Sequence, residues 1–403
     1  MNICYLSKTF HCFRGGIESY TYNMSSYLCQ NGHKVSIVAS QNNQKFFHKI
    51  NNNGVSIYHI NSQDDLFPGS WRIDKIFPIL CVNYSRKVAK KINQIIAEKN
   101  IEIVESPDWQ LEGLCFSLNK KIPIVVRLHG YNSIADHFIF NRKMNFYFRT
   151  LFALKKKLLV NADIITAVSN NYANLIANHL NINREKIITI YNGIDINMFN
   201  PGQNQNKKPY ILFVGRIHER KGVDIFLKAI PIVLREYPEV EFICIGADTL
   251  KRNKNGDCIS YRKYISNFLN KNEIVKVKFL DPMPYEKLVD YFRNALCTAV
   301  PSQYEALPMT VIESMACGTT VIASNVGGIP EIIDDYKDGL LIEPNNYINL
   351  AKAILLLLKN SDLRIELSQA AIEKVRNNFT LKQTANQTLE IYSKVSKKFK
   401  HKY

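Results

Sequence analysis

Several features that would assign a chain to a common class are missing from this 403-residue sequence. Its apolar runs stay well short of 18 residues, and its first residues show no basic stretch followed by an apolar one. We therefore expect neither a membrane-spanning helix nor a signal peptide. The nine cysteines include no C-x-x-C pair, and several lie inside apolar runs. That pattern is typical of reduced thiols in a cytoplasm, and it argues against a disulfide framework or a zinc site.

Acidic residues are also few relative to basic ones. The sequence has 52 Lys and Arg against 35 Asp and Glu, which gives a formal net charge of +17. Such a balance favours anionic partners, namely nucleic acid, nucleotide sugars or acidic lipid surfaces, and charge does not choose among them. The aromatic residues are spread over core-like positions and do not interleave with a basic stripe, so we do not expect nucleic acid as the partner.

The length of the chain suits two domains of about 200 residues each. With 46% apolar and 22% charged residues, the sequence is typical of a globular protein. Strands alternate with helical stretches in both halves, which predicts mostly parallel sheets with helices on both faces. Composition changes at a polar run near residues 198–208, where we place the linker. The predicted domains are residues 1–200 and 201–380, and a terminal helix is predicted at about 381–403.

The most informative stretch is residues 301–331, PSQYEALPMTVIESMACGTTVIASNVGGIPE. Pro308 suits the first turn of a helix, which places Glu305 in the preceding loop and Glu313 about one and a half turns inside the helix. Backbone N–H groups at a helix start form an anion site, and here they belong to Leu307, Met309 and Thr310. Two carboxylates beside an anion site indicate a phosphorylated ligand that carries hydroxyl groups.

Three other strand ends carry residues that suit such a ligand. Gly15 and Gly16 follow the first predicted strand, and His129 ends the strand predicted at 122–128. A third strand is followed by Gly215-Arg216 and then by Lys221-Gly222, which can neutralise a diphosphate. Taken singly, these are weak signals, because glycine turns, structural histidines and solvated charges are common.

Together the motifs resemble the donor-site signatures of glycosyltransferase family 4, whose members are retaining, nucleotide-sugar-dependent enzymes. The resemblance rests on E-x7-E within residues 301–331, on G-R-x4-K-G at 215–222, on the early glycine pair and on the strand-end histidine. It implies an α/β protein of the GT-B fold, with two Rossmann-like, doubly wound parallel-sheet domains that face an interdomain cleft. The N-terminal domain would be the acceptor side, and the C-terminal domain would bind the donor. The terminal helix of such proteins packs back on the N-terminal domain.

The resemblance also implies a role for each motif residue. Glu305 would contact the donor sugar and Glu313 the ribose, whereas His129 would lie beside the reacting centre. The residues implied to bind the donor diphosphate are Gly15, Gly16, Arg216, Lys221, Leu307, Pro308 and Met309. We count His129, Glu305, Arg216 and Lys221 as candidate catalytic residues. No Asp-x-Asp pair follows a predicted strand, so we expect no metal ion and no cofactor, with cations and the helix dipole supplying the charge.

The predicted function is retaining transfer of a hexose-type sugar from a nucleotide-diphosphate sugar to a hydroxyl of a saccharide or lipid-linked saccharide. Cell-surface polysaccharide or lipopolysaccharide biosynthesis is the expected setting. Two alternatives remain, a catalytically silent partner subunit of the same fold and a sugar-nucleotide epimerase. Asp248 and Asp281 stand where family members usually have glycine, which leaves the donor nucleobase open.

A basic amphipathic helix is predicted at residues 138–159. Its apolar face holds Met144, Tyr147, Phe148, Leu151, Leu154 and Leu158, and Arg142, Arg149, Lys156 and Lys157 lie largely opposite. Such a helix suits the surface of an anionic bilayer, and it equally suits a helix packed on its own domain with a solvated basic face. The lysines near the C-terminus suit two similar alternatives, contact with acidic lipid headgroups or a solvated chain end. We expect a cytoplasmic protein, and contact with the inner face of the cytoplasmic membrane stays open.

Overall fold

The computed structural model describes residues 1–8, 10, 16–40, 54–60, 77–130, 146–202, 209–252 and 257–401. The chain divides into two compact units. Unit 1 comprises Met1–Asn192 together with Leu381–Tyr403, and unit 2 comprises Gly193–Thr380. The predicted division after residue 200 falls slightly later in the chain than this boundary.

Unit 1 contains a seven-stranded, fully parallel sheet in the order β3-β2-β1-β4-β5-β6-β7. Every residue of strands such as β4 and β5 is buried, because helices cover both faces of a sheet of this kind. The strands are β1 Asn2–Leu6, β2 Lys34–Ser40, β3 Val55–Ile60, β4 Ile103–Pro107, β5 Ile124–Leu128, β6 Ile164–Ala167 and β7 Ile187–Thr189.

The helices described below lie in connections between parallel strands, as such pairing requires. They are Gly16–Gln30, Phe77–Lys99, Leu114–Leu118, Phe146–Asn161 and Asn170–Leu180, with a 3₁₀ turn at Arg184–Lys186. Helix Leu381–Lys400 also belongs to unit 1 and packs against the first helix. Its Tyr392 hydroxyl donates a 2.7 Å hydrogen bond to the Oε2 atom of Glu105, a buried carboxylate on β4.

The predicted basic amphipathic helix is described from Phe146 to Asn161, and Arg142 and Met144 lie outside the described residues. Leu151, Leu158 and Leu159 face the core of unit 1. The side chains exposed to solvent include those of Phe146, Arg149, Lys156, Lys157 and Val160. Lys155, to which the prediction assigns neither face, is buried on the same face as these leucines.

Unit 2 contains a six-stranded parallel sheet in the order β12-β9-β8-β13-β14-β15, plus an antiparallel hairpin formed by β10 and β11. The strands are β8 Tyr210–Val214, β9 Glu241–Ile245, β10 Leu250–Arg252, β11 Cys258–Ser260, β12 Val277–Leu280, β13 Cys297–Val300, β14 Thr320–Ser324 and β15 Leu340–Ile342. The helices are Val223–Glu236, Tyr261–Ser266, Lys271–Ile274, Tyr285–Asn294, Met309–Ala316, Tyr347–Lys359 and Ser361–Asn378, with 3₁₀ turns at Glu219–Lys221 and Ile329–Glu331.

Two parallel sheets with helical connections confirm the predicted α/β class with Rossmann-like units. Strand β3 and the β10/β11 hairpin are elements that the sequence interpretation did not include. The hairpin follows β9 directly and begins two residues after Asp248. It therefore lies at one of the two positions where the sequence departs from the family pattern.

Candidate functional site

The turn that follows β8 depends on a glycine with a left-handed conformation. Gly222 has φ +70° and caps the 3₁₀ turn Glu219–Lys221. A Cβ atom at Gly222 would lie 1.8 Å from the carbonyl oxygen of Pro301, so only glycine fits there. This close approach brings Lys221 against the loop that follows β13.

An ion pair joins these two loops at the carboxyl edge of the sheet. The Lys221 Nζ atom lies 2.5 Å from Oε1 of Glu305, and the Ser302 hydroxyl donates to the same oxygen over 2.8 Å. The Glu305 side chain is 8% exposed and that of Lys221 is 23% exposed. The pair is thus mostly removed from solvent, which strengthens the attraction between its charges.

The local charges set the protonation of this pair. Burial opposes ionisation of Glu305, but the neighbouring charges of Lys221 and Arg220 outweigh it and hold the pKa of Glu305 below its usual value. Burial, reinforced by Arg220 and Arg216, lowers the pKa of Lys221 despite the opposing effect of Glu305. We take the carboxylate–ammonium form as the state of the pair near neutral pH, because the two groups are in direct contact.

A second glycine fixes the backbone of Glu305. A Cβ atom at Gly327 would lie 1.9 Å from the Glu305 carbonyl oxygen, and Gly327 has φ +57°. The next residue, Gly328, donates its N–H to the same oxygen over 2.9 Å. The glycine-rich loop after β14 therefore holds the peptide that carries Glu305.

The start of helix Met309–Ala316 adjoins the same place. A small cavity is lined by Lys221, Ser302, Glu305, Pro308 and Thr310, among others. Pro308 is the N-cap residue, so the unpaired N–H groups of the first turn follow it. Cations, a carboxylate and a helix start around one cavity form a site that suits an anion with attached hydroxyl groups.

Glu313 lies farther along this helix and is also buried. Burial raises the pKa of Glu313 to about 8. The carboxyl group is therefore mostly protonated near neutral pH in the ligand-free protein. Its implied role as a hydrogen-bond partner of a ribose stays a prediction.

The other predicted cation, Arg216, is exposed and directly follows Gly215. Its neighbour Arg220 is 6% exposed and contributes to the low pKa of Glu305. Arg220 is not among the predicted site residues. Its position one residue before Lys221, in the loop between β8 and the next helix, is the signal that would have indicated it.

Asp248 and Asp281 lie beyond the carboxyl ends of β9 and β12. Asp248 accepts hydrogen bonds from the Ser260 hydroxyl at 2.5 Å and from the Arg262 N–H at 3.0 Å. Its carboxylate therefore links the residue pair before β10 to the end of β11 and the helix that follows. Arg262 Nη2 lies 3.3 Å from Asp281 and 3.4 Å from the Gly246 carbonyl oxygen. Both departures from the family pattern therefore contact one arginine.

In unit 1, His129 lies where it was predicted, immediately after β5. Its ring packs edge-on against Tyr20, with 4.9 Å between ring centroids. Burial, with a smaller contribution from the charge of Arg127, lowers the pKa of His129 well below its ordinary value, so the imidazole is neutral. Gly16 begins helix Gly16–Gln30, and Gly15 lies outside the described residues.

The structure brings together Lys221, Glu305, Pro308 and Thr310 in unit 2, with Met309 and Glu313 on the adjoining helix. Leu307, which was also predicted to bind the donor, is 8% exposed and precedes this helix. Among the described residues, no group of three or more His, Cys, Asp or Glu is placed to hold a metal ion. No helix in the described ranges is long and apolar enough to cross a bilayer.

Comparison with known proteins decides the family. A family model described as glycosyl transferases group 1 matches residues 195–374, and a model described as glycosyltransferase family 4 matches residues 14–198. An uncharacterized glycosyltransferase of Methanocaldococcus jannaschii is 30% identical over 297 residues, which cover 72% of this chain and 74% of the relative. The chain belongs to glycosyltransferase family 4. The resemblance stated from the motifs is therefore confirmed.

Other relatives are similar over a shorter part of the chain. A D-inositol 3-phosphate glycosyltransferase of Corynebacterium diphtheriae is 28% identical over 250 residues, or 59% of this chain and 57% of the relative. The match therefore spans little more than half of that relative's length.

Solved structures of other proteins have the same fold. A sucrose-phosphate synthase of Thermosynechococcus elongatus is similar with a TM-score of 0.77 at 20% identity, covering 98% of both chains. HepE of Anabaena, in complex with UDP and glucose, has a TM-score of 0.75 at 17% identity, covering 97% of this chain and 99% of HepE. Identities this low establish the fold class and leave the substrates open.

Proposed function

We propose that this protein is a retaining glycosyltransferase that moves a sugar from a nucleotide-diphosphate sugar to a hydroxyl of a saccharide or lipid-linked saccharide. The observation that carries the proposal is the Lys221–Glu305 pair with Ser302, beside the start of helix Met309–Ala316. Family membership supports it, and so do relatives whose names specify glycosyl transfer.

The reaction has simple requirements. The bond between the anomeric carbon and the diphosphate oxygen breaks, the acceptor oxygen bonds to that carbon on the same face, and the acceptor proton goes to the departing phosphate. Lys221, Arg216 and the helix N–H groups would stabilise the negative charge that grows on the diphosphate. Glu305, ionised at neutral pH, would accept hydrogen bonds from the sugar hydroxyls. His129 is the proposed catalytic residue of unit 1, on the resemblance alone.

The donor is proposed as a nucleoside-diphosphate sugar, with its base left open between pyrimidine and purine. Structures of Anabaena HepE are described with UDP, with UDP and glucose, and with UDP-glucose, which supports this class of donor. We propose that no metal ion is needed, because Lys221 and Arg216 supply positive charge next to the helix start.

A nucleotide-binding screen tests the donor site first. Thermal unfolding is measured with UDP, GDP, ADP and their sugar conjugates in the presence of a chelator. One diphosphate should raise the unfolding temperature of the wild type, because a ligand at 100 times its Kd stabilises by about 2.7 kcal/mol. The Lys221→Met variant should show little of this shift. No shift for any nucleotide, or equal shifts for both proteins, would remove the assignment of the site.

Product analysis separates transfer from the two alternatives. A transferase releases nucleoside diphosphate only with an acceptor or water, and NMR of the product should show an unchanged anomeric configuration. An epimerase would instead alter the sugar of the donor without any acceptor. A silent partner subunit would bind the nucleotide and yield neither product.

We also propose that the protein contacts an anionic membrane surface, in keeping with a lipid-linked acceptor and cell-surface polysaccharide synthesis. Helix Phe146–Asn161 exposes Arg149, Lys156 and Lys157, and helix Leu381–Lys400 ends with a cluster of lysines. Sedimentation with anionic vesicles should be strong at low salt and weaken as salt rises. Equal binding to neutral vesicles would contradict an electrostatic contact.

A further inference from the structure

A fully buried ion pair in unit 1 contacts the backbone of His129. Lys155 Nζ lies 2.5 Å from Oδ2 of Asp108, and the two side chains are 2% and 1% exposed. Asp108 directly follows β4, and Lys155 comes from the core face of helix Phe146–Asn161. Apolar residues would fill the same space at least as stably, so stability alone does not account for this pair.

The second oxygen of Asp108 reaches the backbone at His129. Oδ1 accepts the His129 N–H over 3.1 Å. One residue later, the Gly130 carbonyl oxygen accepts a 2.7 Å hydrogen bond from the Tyr172 hydroxyl. Buried side chains therefore hold the peptide that precedes His129 and the carbonyl group of the residue that follows it.

The imidazole ring is constrained from another direction. Tyr20 packs edge-on against it, and the Arg127 guanidinium lies 4.4 Å from the centroid of the same tyrosine ring. Arg127 is in turn bonded to the Ile190 carbonyl oxygen and the Asn192 side chain. With its backbone and its ring both fixed, His129 has little freedom in this structure.

We propose that Asp108, neutralised by Lys155, is a positioning residue that fixes His129 through the His129 N–H. This inference rests on the proposed function, in which His129 is a catalytic residue. The carboxylate supplies the acceptor, and the direct contact with Lys155 gives this buried group a partner of opposite charge. A displacement of about 1 Å at a catalytic group costs up to about a hundredfold in rate, so a fixed His129 matters to catalysis.

Two matched double variants test the proposal. Asp108→Asn with Lys155→Met removes both charges but keeps an amide oxygen that accepts the His129 N–H. Asp108→Leu with Lys155→Met has nearly the same shape and lacks the acceptor. Both pairs avoid an uncompensated buried charge, so both should fold, and their unfolding temperatures provide the check.

The expected outcome is a contrast between these two proteins. The Asn variant should keep kcat/KM within about threefold of wild type, and the Leu variant should lose about 30- to 100-fold, mainly in kcat. Nucleoside-diphosphate affinity, which reports on unit 2, should be unchanged in both. Equal activity of the two variants at equal stability, whether high or low, would overturn the proposal.

Hydrogen exchange of the His129 amide gives a readout that is independent of activity. The His129 amide should stay protected from exchange in the Asn variant and lose protection in the Leu variant. Equal protection in the two variants would overturn the assignment. A wild type that transfers no sugar would refute the proposed function, while the exchange measurement would still decide whether Asp108 holds this peptide. Full activity in His129→Ala would refute the catalytic role of His129 and leave the exchange result intact.

Discussion

Replacing Lys221 with methionine tests the donor site most directly. Methionine keeps most of the apolar length of the side chain and removes the ammonium group, so Glu305 loses the partner 2.5 Å away and keeps the Ser302 hydroxyl. Breaking a fully buried ion pair costs about 3–5 kcal/mol. Lys221 is 23% exposed, and water can partly replace it, so we expect about 2 kcal/mol.

The loss should depend on pH in a defined direction. In the wild type, Glu305 has a pKa below its ordinary value near 4.5, so its stabilisation is present above that value and is lost as the pH falls. Without the ammonium, burial would dominate and raise the pKa of Glu305, so rising pH would destabilise the variant. The difference between the two proteins should therefore be largest at pH 7 and should shrink as the pH falls below 4.5.

Thermal unfolding and initial rates provide the assay. For a unit of this size, about 2 kcal/mol corresponds to a decrease of roughly 4–8 °C at pH 7. Loss of a preorganised cation should lower kcat/KM by about 100- to 1,000-fold. Lys359→Met is the control, because Lys359 pairs with Glu236 over 2.5 Å in solvent and its removal should change neither quantity measurably.

Two results would refute this reasoning. A temperature difference that is the same at pH 3.5 and pH 7 would mean that Glu305 does not depend on Lys221 for its ionisation. A variant with kcat/KM within threefold of the wild type would mean that the Lys221 charge takes no part in departure of the diphosphate.

Three further predictions concern other parts of the structure. Gly327→Ala places a Cβ atom 1.9 Å from the Glu305 carbonyl oxygen, so nucleotide affinity by calorimetry should fall at least tenfold, and unchanged affinity would show that this loop is free to move. The pKa of Glu313 is raised to about 8, so wild-type stability should decline by an amount on the order of 5 kcal/mol between pH 4.5 and 8. Denaturant unfolding at several pH values should show this decline in the wild type and not in Glu313→Gln. Tyr392→Phe removes the 2.7 Å hydrogen bond to buried Glu105, and urea unfolding should report a loss of about 1–3 kcal/mol, whereas a value near zero would mean that the carboxylate finds another donor.

Local signals in the sequence were enough to predict the helix start in unit 2. Pro308 and the residues around it decide where helix Met309–Ala316 begins, because proline suits a first turn through its own geometry. The position of His129 after β5 was also predictable, because strands and helices alternate along the sequence. That alternation indicates a parallel sheet, in which the carboxyl ends of the strands lie at one edge. Both predictions rest on residues that are close together in the chain, so one sequence is enough to make them.

Pairings between distant residues could not be predicted in the same way. Lys155 lies on the same face of helix Phe146–Asn161 as Leu151 and Leu158, and its partner there is Asp108, 47 residues earlier in the chain. The partners of Asp248 are a second example, because its carboxylate accepts hydrogen bonds from Ser260 and Arg262, 12 and 14 residues later in the chain. Close backbone packing occurs at Gly246, where a Cβ atom would lie 1.9 Å from the Gly215 carbonyl oxygen.

Helix Leu381–Lys400 completes unit 1, although all of unit 2 precedes it in the chain. During synthesis, residues 1–192 therefore leave the ribosome well before the helix that covers part of their sheet and supplies the Tyr392 hydroxyl to Glu105. Unit 2 is continuous in sequence and can acquire all its strands first. We expect the nascent N-terminal part to expose an apolar face for the time that the ribosome needs to translate unit 2, and to depend on chaperones for that interval.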